Sequence, residues 1–236
     1  MIAVSGWAGQ LRLGMCYSSG VDSSSEARSR AAETKRRRSR AAILQAATRL
    51  FEEQGWLPTT VEAIARDAGV GTATVYNHFS NKNLIAGFAF LPVVEDLLED
   101  TRWSDDAVPP GDALHEFIEE FATRARTRAP LTIALLEAVN DSAARSGADI
   151  TPEDPRYWLP IPGVLTTIIS RGQMSGAFLD YPPAVEAGPL FSNLVFLRIL
   201  ARPKESAAET SRLVLTIVER TLGISRSAQT QPKCTA

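Results

Sequence analysis

The chain has 236 residues, 44% hydrophobic and 22% charged, an ordinary composition for a globular protein that buries its own core. Its two cysteines, Cys16 and Cys234, stand near opposite ends; they offer no disulfide framework, metal site or catalytic thiol with partners at suitable spacing, and a reducing cytoplasm is the expected setting. The net charge of −2 hides an asymmetry: from Glu26 to Ala86 ten Lys/Arg face six Asp/Glu, a balance of +4, while from Gly87 to Ala236 fourteen face twenty, a balance of −6, so only the first part suits a polyanion.

Residues 1–27 mix Gly, Ser and scattered apolar residues without a period and lack the basic start of a secretory signal, so they are read as a disordered lead-in, with order beginning near Thr34. Residues 1–33 are expected to form an extension with a basic arm, built from Arg28, Arg30, Lys35, Arg36, Arg37, Arg38 and Arg40 as it runs into the first helix. In that helix Ile43, Leu44, Ala47, Leu50 and Phe51 fall on one stripe, and Gly55 ends it with a left-handed cap. Thr59 or Thr60 offers a hydroxyl cap to a second helix, in which Glu62 supplies early negative charge and Val61, Ile64, Ala65 and Ala68 repeat before Gly69 turns the chain. Ser80 is the expected cap of the helix after the next turn, which Pro92 interrupts or kinks.

Further along, Asp105 to Gly111 reads as a loop, and Leu114, Phe117, Ile118 and Phe121 define an amphipathic helix closing near Pro130. The segment Leu131 to Val139 is apolar on most sides. Another loop, Ser146 to Pro155, leads to a segment from about Tyr157 to Gly176, broken by Pro160 and Pro162. Helices over about Ala184–Leu200 and Ala207–Leu222 complete the pattern. The chain is expected to be all-α, with domains at 34–86 and 87–224 and a disordered tail at 225–236. No apolar run is expected to reach the roughly 18–20 residues of a bilayer span, since Pro182-Pro183 and Arg198 bound the longest candidate, so no membrane partner is expected.

The stretch from Gly69 to Phe79 carries the chemistry. A helix offered to the major groove needs one apolar side on its scaffold and another lined by small or hydrogen-bonding groups. On a wheel centred on Val75, Phe79 shares the inward face, Ala73 and Asn77 point away, and Thr72 with Tyr76 and Thr74 with His78 lie on the flanks. Gly69 permits a positive φ in the turn, and Val70 plugs the gap. Thr60, Tyr76, His78 and Lys82 are placed for phosphates, which set register; Thr72, Thr74 and Asn77 are placed for bases. The basic run adds attraction independent of sequence.

These residues resemble a known family. Phe51-x3-Gly55, Thr60-Val61-x2-Ile64-Ala65-x2-Ala68-Gly69-Val70 and Thr74-Val75-Tyr76-x-His78-Phe79-x2-Lys82-x2-Leu84 look like the TetR family of bacterial transcriptional regulators, over about residues 35 to 86. Asn83 departs from the more usual acidic residue at its place. The resemblance implies a homodimer, a pseudo-palindromic double-stranded operator, repression, and release by a small molecule in the carboxy-terminal domain. It also implies that the last two helices pair with their mates, with Leu190, Leu194, Leu197, Leu213, Ile217 and Leu222 as the buried stripe.

For an apolar or aromatic effector the candidates are Trp103, Phe117, Phe121, Tyr157, Trp158, Met174 and Phe178, on helices that should enclose the domain interior. No cofactor is implied. No Ser-His-Asp spacing or phosphate-cradling loop is present, and a metal site from Asp112, His115 and Glu119 has only one histidine, so an enzyme is not the expectation. Two alternatives stay open: an activator or ligand-independent regulator, and a helical lipid-binding or metabolic enzyme whose first helices are a docking module.

Overall fold

The computed structural model describes residues 23–146 and 149–224. Residues 1–22 of the expected extension, the expected tail at 225–236, and with them both cysteines, lie outside the described residues. Among the described residues there are ten α-helices and no strand. The chain divides into a unit ending at Arg38 and a unit from Ser39 to Ala236.

In the first unit the described residues are the opening turns of α1 (Ser23–Gln54). Helix is therefore already present at Ser23, ahead of the start of order expected near Thr34. Ala27, Ala31, Ala32 and the surrounding Arg, Lys and Glu are strong helix formers; Glu26 lies in the first turn, where its charge suits the helix dipole, and it pairs with Arg30 at 3.7 Å. Propensity suffices here, because every residue from Glu26 to Arg38 is exposed.

In the second unit α1 continues with Ile43, Ala46, Ala47 and Phe51 fully buried, and Gly55, at φ 79°, ends it. Helix α2 (Val61–Asp67) is capped by Thr60, whose hydroxyl accepts from the Ala63 N–H. Gly69, at φ 67°, turns the chain into α3 (Thr72–Tyr76). Helix α4 (Lys82–Glu99) is capped by Asn81 and not by Ser80. Asn81 has the extended backbone a cap needs, and its Oδ1 accepts from Leu84 N–H at 2.7 Å. Pro92 leaves α4 uninterrupted, so the helix runs through the expected boundary at residue 86.

A 3₁₀ turn, Thr101–Trp103, leads to α5 (Pro110–Thr127) and α6 (Ala129–Ser146). The segment expected from Tyr157 is broken, as its prolines imply, into the four-residue α7 (Pro155–Trp158) and α8 (Ile161–Met174), with the split at Leu159 and Pro160 and Pro162 in the first turn of α8. Helix α9 (Ala184–Ala201) packs closely on α8: a Cβ on Gly188 would lie 2.2 Å from Thr166 Oγ1 and 2.7 Å from the Pro162 carbonyl. Helix α10 (Ala207–Leu222) opens with a capping box from Ser206 and Glu209 and ends at Gly223. The buried Arg126 guanidinium of α5 ties the α9–α10 connection down, donating to the carbonyls of Arg198 and Arg202 and to Thr210 Oγ1.

By length and composition alone α9 is long and apolar enough to cross a bilayer, which corrects the expectation that no segment is. Arg198 lies inside the helix and does not bound it. One side of α9, with Phe191, Val195 and Ile199, is sealed in the bundle, while Leu190, Leu197 and Leu200 are exposed, as are Leu213 and Ile217 on α10. Leu222, expected with them on the stripe that pairs with a second copy, is fully buried within the subunit, and its carbonyl accepts from the Leu179 N–H at 2.9 Å.

Candidate nucleic-acid interface

The short α3 separates its two sides sharply. Val75 is fully buried and Phe79 nearly so, while Ala73, Tyr76 and Asn77 are exposed and Thr72, Thr74 and His78 are half-buried on the flanks. Five residues make the helix, Asn77 is its carboxyl cap, and His78 and Phe79 close the turn through N–H bonds to the Val75 carbonyl. Packing of α3 on α2 thus fixes which polar groups face out. With φ positive at Gly69 and Val70 N–H bonded to the Ala65 carbonyl at 2.9 Å, the turn sets how α3 crosses α2.

The other expected contact groups are placed differently. Thr60 is exposed beside the head, its oxygen spent as the α2 cap but its proton able to donate. Lys82 does not hold its ammonium out to solvent. Its Nζ donates to the carbonyls of Trp56 and Thr59, each at 3.0 Å, and lies 3.7 Å from the Trp56 ring centroid. Burial holds that ammonium below its ordinary pKa, against the opposing pull of Asp141. Lys82 therefore fastens the α1–α2 loop to the start of α4. Arg36, Arg37 and Arg38 are exposed in the first unit.

Two further residues anchor the head: Asn83, which was not expected at the site, and Arg40, which was expected as one more cation of the basic run. Asn83 is almost wholly buried, its amide reaching the Ala138 carbonyl, Asp141 Oδ2 and Ser142 Oγ of α6 at 2.8–2.9 Å. Its departure from the acidic residue usual at that place was a usable signal, since an Asn can donate where a carboxylate cannot. Arg40 lies half-buried with its guanidinium against Phe79 and Phe88. The spacing Arg40, Ile43, Leu44, Ala47 puts it on the buried stripe, and that pattern sets it apart from its basic neighbours.

The seven expected effector residues are not brought around one cavity. Trp103, Phe117, Phe121 and Phe178 are packed solid: Trp103 meets Phe117 edge-on at 5.4 Å, Phe117 stacks on Phe121 at 6.1 Å, and Phe121 meets Phe196 edge-on at 5.1 Å. Trp103 Nε1 is spent on the Leu97 carbonyl, and a Cβ on Gly172 would overlap the Phe178 ring. Met174 and Tyr157 face outward, and Trp158 covers α4. A hollow of about 350 Å³ lies elsewhere, beside the head, with Trp56, Tyr76, Lys82, Asp141 and Arg145 in its wall. Among the described residues no three His, Cys, Asp or Glu side chains converge as metal ligands; His115 faces Glu119 at 3.6 Å.

A Gly-hinged helix pair with its second member turned outward, ahead of an all-helical bundle, defines a helix-turn-helix regulator fold. Residues 43–86 match the family of bacterial regulatory proteins, tetR family. Over 74 residues the chain is 32% identical to the HTH-type transcriptional regulator YhgD of Bacillus subtilis, covering 31% of this chain and 37% of that protein. Over 41 residues it is 49% identical to the regulator HbdR of an Aromatoleum species, covering 17% and 18%. The matches therefore span well under two thirds of these relatives' length. Over 173 residues it is 27% identical to the regulator AlkX of Mycobacterium tuberculosis, covering 66% and 81%. The fold is that of the TetR-family regulator PfmR of Thermus thermophilus, at TM-score 0.54 and 24% identity over 76% of this chain and 98% of that one. It is also that of FadR of Thermus thermophilus, solved with lauroyl-CoA, at TM-score 0.57 and 18% identity over 81% and 99%. Residues 43–86 therefore carry the TetR-family amino-terminal domain, on a fold shared with solved TetR-family regulators.

Proposed function

We propose that the protein is a DNA-binding transcriptional regulator that acts as a homodimer on a pseudo-palindromic operator and is released from it by a small apolar or aromatic molecule. The observation that carries the reading is the two-sidedness of α3, with Val75 and Phe79 sealed and Ala73, Tyr76 and Asn77 exposed. In this reading residues 34–86 are the DNA-reading head and residues 87–224 the regulatory part. Thr72, Thr74 and Asn77 discriminate bases, Thr60, Tyr76 and His78 hold phosphates, and Arg36, Arg37 and Arg38 add attraction without sequence preference. Lys82 acts by fixing the head and not by reaching the backbone of DNA.

One α3 reads only a few base pairs, so two copies are needed, with half-sites about 34–36 Å or a multiple apart. The exposed leucines of α9 and α10 support pairing of those helices. The lauroyl-CoA bound by FadR supports an acyl or otherwise apolar effector class. With Phe117, Phe121 and Phe196 filling the interior, such a molecule enters by repacking them, and it weakens operator binding by its differential affinity for the two packings. A regulator of this kind works in the cytoplasm.

Selection of bound fragments from random DNA tests the reading. A palindromic consensus bound at about 10⁻⁸–10⁻¹¹ M is expected, and Asn77→Ala with Thr72→Ala should relax the consensus by about 1–3 kcal/mol at the contacted bases. An unchanged consensus removes those two residues as readers, and absence of any enriched sequence removes the function.

A further inference from the structure

Arg40 stands two residues after the exposed Arg36–Arg38 run, yet its surroundings are of another kind. It is half-buried, its guanidinium carbon 4.4 Å from the Phe79 ring centroid and 4.3 Å from that of Phe88, and Nη1 donates to the His78 carbonyl at 3.4 Å. His78 and Phe79 are the turn that closes α3, and Phe88 belongs to α4. Phe88 also packs against Trp158 of α7, with ring centroids 5.1 Å apart. Gly87 makes that approach possible, since a Cβ there would lie 2.9 Å from Pro155 Cβ.

We propose that Arg40 is a positioning residue for DNA reading: its guanidinium pins the carboxyl end of α3 to α4, and through Phe88 the same stack extends to Trp158, so the seat of α7 on α4 bears on how α3 is presented. This rests on the DNA-binding reading above. The arrangement needs an arginine. A planar, weakly hydrated guanidinium lies against two rings while one N–H reaches a carbonyl, whereas a lysine ammonium is compact and strongly hydrated. A cation at the closing turn of α3 also suits the negative end of that helix. The rival role is one more phosphate-binding cation in the basic run, and the two roles separate by experiment.

The test is binding of full-length wild type, Arg40→Lys, Arg40→Met, Trp158→Leu and the Arg40→Met/Trp158→Leu double variant to wild-type-selected DNA at several salt concentrations, with thermal unfolding of each. Arg40→Lys and Arg40→Met should both weaken selected-site binding about tenfold, leave random-sequence binding within about twofold, and leave the slope of log affinity against log salt unchanged. Trp158→Leu should weaken it about three- to fivefold, and the double variant should fall short of the product of the single losses. Arg40→Lys at wild-type affinity, with Arg40→Met lowering the slope by about 0.9, overturns the proposal in favour of a phosphate contact. Losses that multiply in the double variant overturn the link to Trp158. If Arg40→Met does not fold, the Arg40→Lys result decides. Wild type that selects no sequence overturns the DNA-binding reading and this proposal together; selection by wild type with indifferent Arg40 variants overturns this proposal alone.

Discussion

The head and the bundle behind it use the same device, an amphipathic helix, to opposite ends. On α3 and its closing turn the buried side is Val75 and Phe79 and the exposed side is polar or small, the kind of surface that the proposed contact with a wet, hydrogen-bonding DNA groove requires. On α9 and α10 the buried side is extensive and the exposed side carries Leu190, Leu197, Leu200, Leu213 and Ile217, a surface matched to another apolar face. An exposed polar side chain stays hydrated without penalty, whereas a cluster of exposed leucines gains free energy when another surface covers it. The chemistry left on the outside is therefore what the proposed division between a reader and a pairing surface rests on, even where both helices look alike in sequence.

The sharpest way to break this contrast is in the bundle interior. If Phe121 is core, Phe121→Ala should lower stability by about 3–5 kcal/mol, a drop that a thermal or denaturant melt would register directly. A residue lining an open effector cavity would give a far smaller loss, because few packed neighbours would surround the truncated ring. Next in size, Leu197→Arg should leave the subunit folded but shift it from dimer to monomer by light scattering. Operator affinity should then fall at least about a hundredfold, since in the proposed dimer each head alone reads only half the operator. A folded, still dimeric Leu197→Arg protein would remove α9 from the interface.

The head contrast is broken more gently at Gly69. Its φ of 67° meets open space, with nothing within 4 Å of a built Cβ, so the cost of a side chain there is backbone strain and not collision. Gly69→Val should cost about 1–3 kcal/mol and weaken DNA binding with it, while Gly69→Asn, which tolerates that backbone, should lose much less. Equal losses for Val and Asn would mean that the turn matters for space after all.

The head was legible because several independent constraints fall on the same residues. A left-handed glycine at 69, a hydroxyl cap at Thr60 and an apolar pair at Val75 and Phe79 each admit few local structures, and together they admit one. The bundle helices were legible for a similar reason, since breakers such as Pro183 and Pro203 bracket α9. What failed to show was depth. Periodicity says that Phe117 and Phe121 face inward, but a filled interior and a hollow one give the same stripe, and only side-chain volumes meeting across α5, α8 and α9 decide between them. Met174 and Tyr157 sit near helix ends, where the stripe no longer dictates direction. The caps failed locally: Ser80 and Asn81 both carry an acceptor, and the extended backbone at Asn81 selects the second. The helix already runs at Ser23, and from Glu26 to Arg38 it buries nothing, so an argument from apolar period was blind to it.

The smallest expected effect concerns the basic residues ahead of the head. Arg36, Arg37 and Arg38 are exposed, and counterion release makes no distinction between sequences. Replacing all three by Gln should therefore weaken selected and random DNA by the same factor. The slope of log affinity against log salt should become shallower by about 0.9 for each phosphate that the arm no longer neutralises, and the selected consensus should not change. This is the opposite signature to replacement of Asn77, which should alter the consensus and leave the slope nearly alone. If the triple replacement instead altered the consensus, the arm would be reading a groove, and the division between a polar reader on α3 and a purely electrostatic arm would have to be redrawn.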